Sequence, residues 1–163
     1  MAYNKQFEIR WSDVDANGHL ANSAYLNFMS HTRASFLNEN GFSLRELVKL
    51  GIGPVVFSEQ IHYFKESFLE QKVTVSLEVS GLSDKGMFFK FEHNFYDHKG
   101  RHLATCDILG AWINLKTRSL VELPEELRAK MQNFPKAEHF KTLTKEDTRK
   151  SGKRPKDLKL ANS

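Results

Sequence analysis

The sequence predicts an α+β fold in which a curved, mostly antiparallel sheet wraps around one long central helix. Three observations carry that expectation. The elements run strand, long helix, short helix, then four strands joined by tight turns. The long helical segment has an apolar face wider than a surface stripe. The later strands either alternate apolar with polar residues or are apolar on both faces, as a sheet covered on one or both sides requires.

Residues 3–11, YNKQFEIRW, alternate, which places Phe7, Ile9 and Trp11 on one face of a half-buried strand. A polar loop, 12–21, follows. NSAYLNFMSHTRASFLNENG then reads as the long helix, with Asn22 or Ser23 able to cap its start and Gly41 just past its end. Tyr25, Met29, Thr32 and Phe36 recur at helical spacing. Leu26, Phe28, Ala34 and Leu37 widen that face, which predicts a helix surrounded rather than lying on a surface. Ser43 and Glu46 suit a capping box for a short helix over 43–50, ended by Gly51 and Gly53. VVFSEQIHYF, 55–64, is the second strand. KVTVSLEVSGL puts Val73, Val75, Leu77 and Val79 on one face, and GMFFKFEHNFY follows across Ser83–Gly86, a hairpin signal. DHKG at 97–100 turns the chain again, and HLATCDILGAWINL is apolar on both faces, as a central strand would be. Residues 120–134 read as a short helix, with Pro124 suited to a helix start. Beyond it no periodicity is visible.

A length of 163 residues suits one domain, and 40% hydrophobic against 27% charged residues is the balance of a chain with a real core. The single cysteine, Cys106, cannot form an internal disulfide, so a reducing, cytoplasmic setting is expected. The polar, alternating start suggests no leader segment, and no apolar run is long enough to span a membrane. The net charge of +4 is unevenly placed. From Lys136 onward nine basic residues face four acidic ones, while the rest of the chain is net −1. The expected organisation is therefore a domain over 1–135 and a basic, solvated and mobile tail over 136–163. No basic stripe marks the domain, which argues against a nucleic-acid partner.

The stretch WSDVDANGHLANSAY, 11–25, joins the first strand to the long helix. Asp13-x-Asp15-x-x-Gly18 followed by His19 and Asn22, in the pattern Gly-His-x-x-Asn, resembles the signature of hot-dog-fold acyl-CoA thioesterases, most closely the 4-hydroxybenzoyl-CoA thioesterase family. The resemblance covers about residues 5–130 and includes IHYFKESFLEQKVTV at 61–75, where the family often has a proline-containing bend and this chain has Glu66–Ser67. It implies a hot-dog fold and hydrolysis of acyl-CoA thioesters. It also implies a homodimer, or a homotetramer of dimers, with active sites at the subunit interface.

The leaving group of a thioester is a thiolate, whose parent thiol has a pKa of about 8.5, so departure needs little acid help. Hydrolysis then needs a base or nucleophile and a donor for the developing oxyanion. A carboxylate beside a helix N-terminus, where backbone N–H groups are free, can meet both needs. The resemblance maps the carboxylate onto Asp15, as general base on water or as a nucleophile giving an anhydride. The backbone N–H of Asn22, with Ser23 beside it, is the candidate oxyanion donor. Gly18 permits a backbone conformation that a side chain would obstruct. Plainer readings stand beside these. Asp15 could be only a turn former, Asn22 a cap and Tyr25 a packing residue. Asp13 reads as a loop-holding group. His19 could orient water or the thioester, or equally bond the loop. His93, His98 and His102 lie near a hairpin without thiol or carboxylate partners, so no metal is expected, and no cofactor either. Cys106 reads as core. Lys65, Lys85, Lys90 and Arg101, at strand ends or turns, could meet coenzyme A phosphates but read as ordinary solvated charge. An acyl-carrier-protein thioesterase and a non-catalytic acyl-thioester binding protein are the competing functions.

Overall fold

Alternation at Val73, Val75, Leu77 and Val79 puts four side chains with no exposed surface on one face of β3 (Lys72–Ser83). The computed structural model describes residues 1–158. In it β1 (Tyr3–Glu8) pairs antiparallel with the first half of β3, Tyr3 opposite Leu77 and Glu8 opposite Lys72. On the other side of β3 follow β4 (Phe88–Asp97), β5 (His102–Asn114) and β2 (Ile52–Tyr63), each antiparallel to its neighbour. The order is β1-β3-β4-β5-β2, which leaves β2 as a long edge. Register shifts at Val56/Ser58, Val79/Gly81 and Phe95/Tyr96 mark bulges that bend the strands.

The apolar face of the sheet receives α1 (Asn22–Glu39). Tyr25, Phe28 and Met29 pack with Val73, Val75, Phe95, Cys106 and Ile108, and Phe36 and Leu37 pack further along with Leu77, Phe91 and Trp112. The helix is covered on one side only in the single chain. Asn27, Ser30, His31 and also Ala34 are exposed, because Ala34 stands two residues from both Thr32 and Phe36 and so points the other way. Its start also differs from expectation. The N-cap position is Ala21, with no side-chain cap, and Asn22 is the first helical residue. After Gly41 comes α2 (Leu44–Leu50), where Ser43 Oγ accepts the Glu46 N–H at 3.2 Å.

Four expectations are corrected. The first strand ends at Glu8, and Trp11 begins a 3-10 turn, Trp11–Asp13, with its side chain 79% exposed. Asp13 Oδ2 takes the Arg10 N–H at 2.9 Å and draws the chain out of the strand. Within 120–134 only α3 (Glu125–Gln132) is helical, because Leu120 bridges to Ile113 and the Leu123 N–H bonds to Lys85 O. β5 is buried on both faces only at Leu103–Ala104 and from Gly110 to Ile113, where Phe88, Ala111 and Leu143 pack together, and alternates between these two stretches. Finally, the basic segment is not all solvated tail. Residues Lys136–Leu143 form β6, parallel to β3, beyond the point where β1 stops pairing. The Val79 N–H bonds Pro135 O, and the register slips from Val79–Lys136 to Gly81–Lys141, which erased any period from the sequence. A 3-10 turn, Lys145–Arg149, follows. There Asp147 holds Lys141 at 2.8 Å and Lys150 at 2.7 Å. Residues 152–158 are exposed without regular structure, and the remainder of the expected mobile tail, 159–163, lies outside the described residues.

His93 on β4, opposite Cys106, has no exposed surface, and its Nδ1 is 2.9 Å from Ser76 O. Burial, then the Arg33 charge, push the imidazole down to about 3 against the opposing pull of Ser76. An unfolded histidine takes its proton near pH 6.5, so below that value the unfolded chain binds more protons. Stability present above about pH 6.5 is therefore lost as pH falls toward the folded value. Urea denaturation between about pH 7 and pH 4 should show this loss, and His93→Gln should flatten it. An unchanged slope in the variant would assign the effect to other groups.

Candidate functional site

The loop between β1 and α1 is tied at three levels. Asp13, 5% exposed, accepts from Arg10 through the backbone N–H, Nε at 3.0 Å and Nη2 at 3.1 Å, while its carbonyl takes the Ala21 N–H at 2.8 Å. The Arg10 side chain holds the Asp13 carboxyl below its ordinary range, outweighing partial burial. Further in, Asp15 N–H donates to His19 O at 2.8 Å, and Asp15 Oδ1 accepts the N–H groups of Asn17 at 2.8 Å and His19 at 3.1 Å. Gly18 sits at φ +74°, a conformation that L side chains rarely adopt, with open space where a Cβ would stand. The loop thus uses one oxygen of Asp15. Among the described residues the other oxygen, Oδ2, makes no hydrogen bond.

At the helix start, Asn22 is the first helical residue, so its N–H has no intrahelical acceptor. The Ser23 N–H is turned onto Asn22 Oδ1 at 3.1 Å. That of Asn22 has no partner among the described residues.

An open cleft of about 690 Å³ lies against this loop. One wall carries Asp15, His19, Asn22 and Tyr25; the other is Tyr63 through Glu66, where β2 ends and bends. The two walls are fastened by the Leu20 N–H on Ser67 O at 2.7 Å and by His19 Nε2, 3.3 Å from Glu66 Oε2. Where the related pattern has a proline, the bend here is held by Gln71, whose Oε1 accepts from Ser67 Oγ at 3.1 Å and from the Phe68 N–H at 3.2 Å. Tyr25 is 3% exposed and meets Tyr63 and Phe95 edge-on at 5.1 Å. Burial, then neighbouring Tyr63, push its hydroxyl up to about 12, so it stays a phenol and a donor.

Of the residues singled out in the sequence, Asp15, His19, Asn22 and Tyr25 meet on the cleft. Gly18 and Ser23 lie off its lining: Gly18 shapes the loop and Ser23 is exposed. Tyr63, Phe64, Glu66 and Phe68 were missed. Their only signal was a run of aromatics continuing past the end of a strand, and Phe64 and Phe68 are indeed 53% and 43% exposed. Among the described residues no group of three or more His, Cys, Asp or Glu side chains is placed to hold a metal ion.

Residues 9–131 match the family model described as the thioesterase-like superfamily. The chain is 27% identical over 131 residues to the long-chain acyl-CoA thioesterase FadM of Escherichia coli (strain K12), a match that spans 80% of this chain and 98% of that protein. Among solved structures it resembles a Staphylococcus aureus protein determined in complex with CoA (TM-score 0.78, 19% identity, 97% and 96% of the two chains). It also resembles a 1,4-dihydroxy-2-naphthoyl-CoA thioesterase from Synechocystis (TM-score 0.72, 16% identity, 82% and 97%). These two likenesses carry the fold: the sheet and central helix described above are the hot-dog arrangement.

Removing the Asp13 carboxylate leaves the Arg10 N–H without its acceptor at the loop entry. Asp13→Ala should cost about 1–2 kcal/mol of stability, the scale of a lost helix cap. Chemical denaturation midpoints at neutral pH measure it. A variant as stable as the wild type would remove Asp13 from the role of loop anchor.

Proposed function

Because the chain belongs to the thioesterase-like superfamily, we propose that it hydrolyses acyl-CoA thioesters to the free acid and coenzyme A at the cleft beside α1. One observation carries the reading. Asp15, with one carboxylate oxygen unused by the loop, and Asn22, whose N–H has no partner among the described residues, line the same cleft at a helix N-terminus. With the thioester carbonyl oxygen at that N–H, charge developing on the oxygen meets a donor and the positive end of the helix. Asp15 then takes the proton of an attacking water. Alternatively its oxygen adds to the carbonyl carbon, the thiolate departs, and water opens the resulting anhydride. In both routes the sulfur leaves with the bond electrons and picks up a proton from solvent. His19, braced between Glu66 and the Phe68 ring, orients the water or the thioester. Tyr25, a phenol at the cleft wall, contacts the substrate, and Gly18 and Ser23 shape the approach to it.

Most of the phenylalanines are spent in the core, so their number says little about the acyl group. Phe64 and Phe68 at the cleft suit an aromatic or fatty acyl chain. A carrier protein would need an extended basic surface around the cleft, more than cations at its rim. Lys141 and Lys150 of the basic segment are instead held by Asp147, beside a different groove that Lys90 and Phe57 share. Among the described residues no helix is long and apolar enough to cross a membrane, and the lone, buried Cys106 suits a cytoplasmic setting.

The proposal includes a second copy of the chain. β2 is a 12-residue strand with one side unpaired among the described residues, and Val56 and Phe57 on it are 44% and 46% exposed. An edge that long and apolar is an invitation to strand pairing. Pairing two copies there makes a homodimer, able to pair again into a homotetramer. It also puts the Tyr63–Glu66 wall of each cleft at the interface.

Two measurements follow. In a thiol-release assay over short, long and aromatic acyl-CoAs, at least one should be turned over, and Asp15→Asn should lower kcat by about 100-fold or more, on the scale of losing a general base. Turnover that survives the substitution removes Asp15 from the mechanism, and no release from any substrate leaves a binding protein. In sedimentation, the wild type should be a dimer or tetramer and a Val56→Lys/Phe57→Lys variant should shift to monomer and lose turnover. A fully active wild-type monomer would overturn the interfacial site.

A further inference from the structure

Four cations stand at strand ends or turns, and the fold sorts them. Lys85 pairs with Glu122 at 3.2 Å and Lys90 with Asp107 at 3.1 Å. Lys65 and Arg101 instead line the cleft. The backbone brings them to the same rim, because the Lys65 N–H donates at 3.1 Å to the carbonyl of Leu103, two residues past Arg101. Among the described residues Lys65 Nζ forms no ion pair. Arg101 uses Nε on Asp97 Oδ2 at 2.6 Å, and its terminal nitrogens stay free for another partner.

Asp97 is a fixed support. It is 4% exposed, and its Oδ1 accepts the Lys99 and Arg101 N–H groups at 2.9 Å each, closing the turn that Gly100 completes at φ +74°. Burial raises its carboxyl, but the hydrogen bonds from Arg101 and Lys99 outweigh it and bring it to about 2. The turn therefore presents Arg101 with its direction set. The acid next to Lys65 on the same wall, Glu66, has its Oε2 3.3 Å from His19 Nε2.

We infer that Lys65 and Arg101 form a phosphate-binding rim of the cleft, matched to the diphosphate of coenzyme A rather than to a thioester borne on a carrier protein. The inference rests on the hydrolase reading for its substrate, and it names which end of the substrate the protein grips. A guanidinium presents two parallel donors to one phosphate, and an ammonium a point charge to the next. A carrier protein offers a single phosphodiester on its prosthetic arm and would leave one cation unmatched.

The test compares one acyl group carried on coenzyme A, on 4′-phosphopantetheine, on pantetheine and on a carrier protein. In the wild type kcat/KM should fall stepwise from coenzyme A to pantetheine, by about tenfold or more overall, through KM. Added salt should narrow the gap. In a Lys65→Ala/Arg101→Ala variant the ratio of the coenzyme A to the pantetheine value should approach one. Equal values for the three small carriers in the wild type, an unchanged ratio in the variant, or faster turnover on the carrier protein would each overturn the rim. If the wild type hydrolyses none of them, the hydrolase reading fails, and calorimetry with coenzyme A alone decides the rim. The variant must then bind it about tenfold or more weakly, and equal affinity overturns the assignment.

Discussion

Seating α1 on the apolar face of the sheet buries Tyr25, Phe28, Met29, Thr32, Phe36 and Leu37, and this contact fixes where the helix begins. Each large apolar side chain among them contributes about 1.5–3 kcal/mol relative to exposure. The helix N-terminus cannot drift while those six stay packed. The first turn, with the N–H of Asn22 unpartnered among the described residues, is therefore held at one place against the end of β2. The cleft is the gap left where the motif loop enters that helix and the chain leaves β2.

Within this frame the two aspartates of the motif have different physical surroundings. Asp13 is buried and saturated by Arg10, and its carbonyl reaches across to Ala21, so it joins loop entry to helix start. Asp15 is tied at one oxygen only, so its direction is set while the second oxygen remains available. A carboxylate held in this way needs little reorganisation before it acts. The core also contains a polar seam. Arg33 Nη1 and His93 Nε2 are buried without a hydrogen-bond partner among the described residues, between the two apolar clusters that flank α1. Groups of that kind are costly in a dry interior, and the imidazole avoids part of the cost by staying neutral.

Much of the fold was legible because its signals are local. Strict alternation in β3, the turn residues at 83–86 and 97–100, and the helical spacing of Tyr25, Met29, Thr32 and Phe36 each report an element from a few neighbours. Trp11 and β6 were misread for one shared reason. A period reports a strand only while its register is unbroken and its pairing continues. Asp13 ends the first strand before Trp11, and β6 slips register after one pair. Likewise Asn22 looks like a cap by type, but the chain enters the helix one residue earlier, and the loop's own hydrogen bonds decide that entry.

By itself the sequence determined which residue types stand at the junction of the first strand and the long helix: two acids, a glycine, a histidine and an asparagine, at spacings that place them on one short loop. It could not assign the opposite wall. Tyr63, Phe64, Lys65, Glu66 and Arg101 lie far along the chain from that loop, and no local period links them to it. Only the tertiary structure brings them there, because the antiparallel pairing of β2 with β5 carries the end of β2 back to the helix start. Tertiary structure also separated Lys65 and Arg101 from Lys85 and Lys90, since a cation's partner depends on which neighbours the sheet sets beside it.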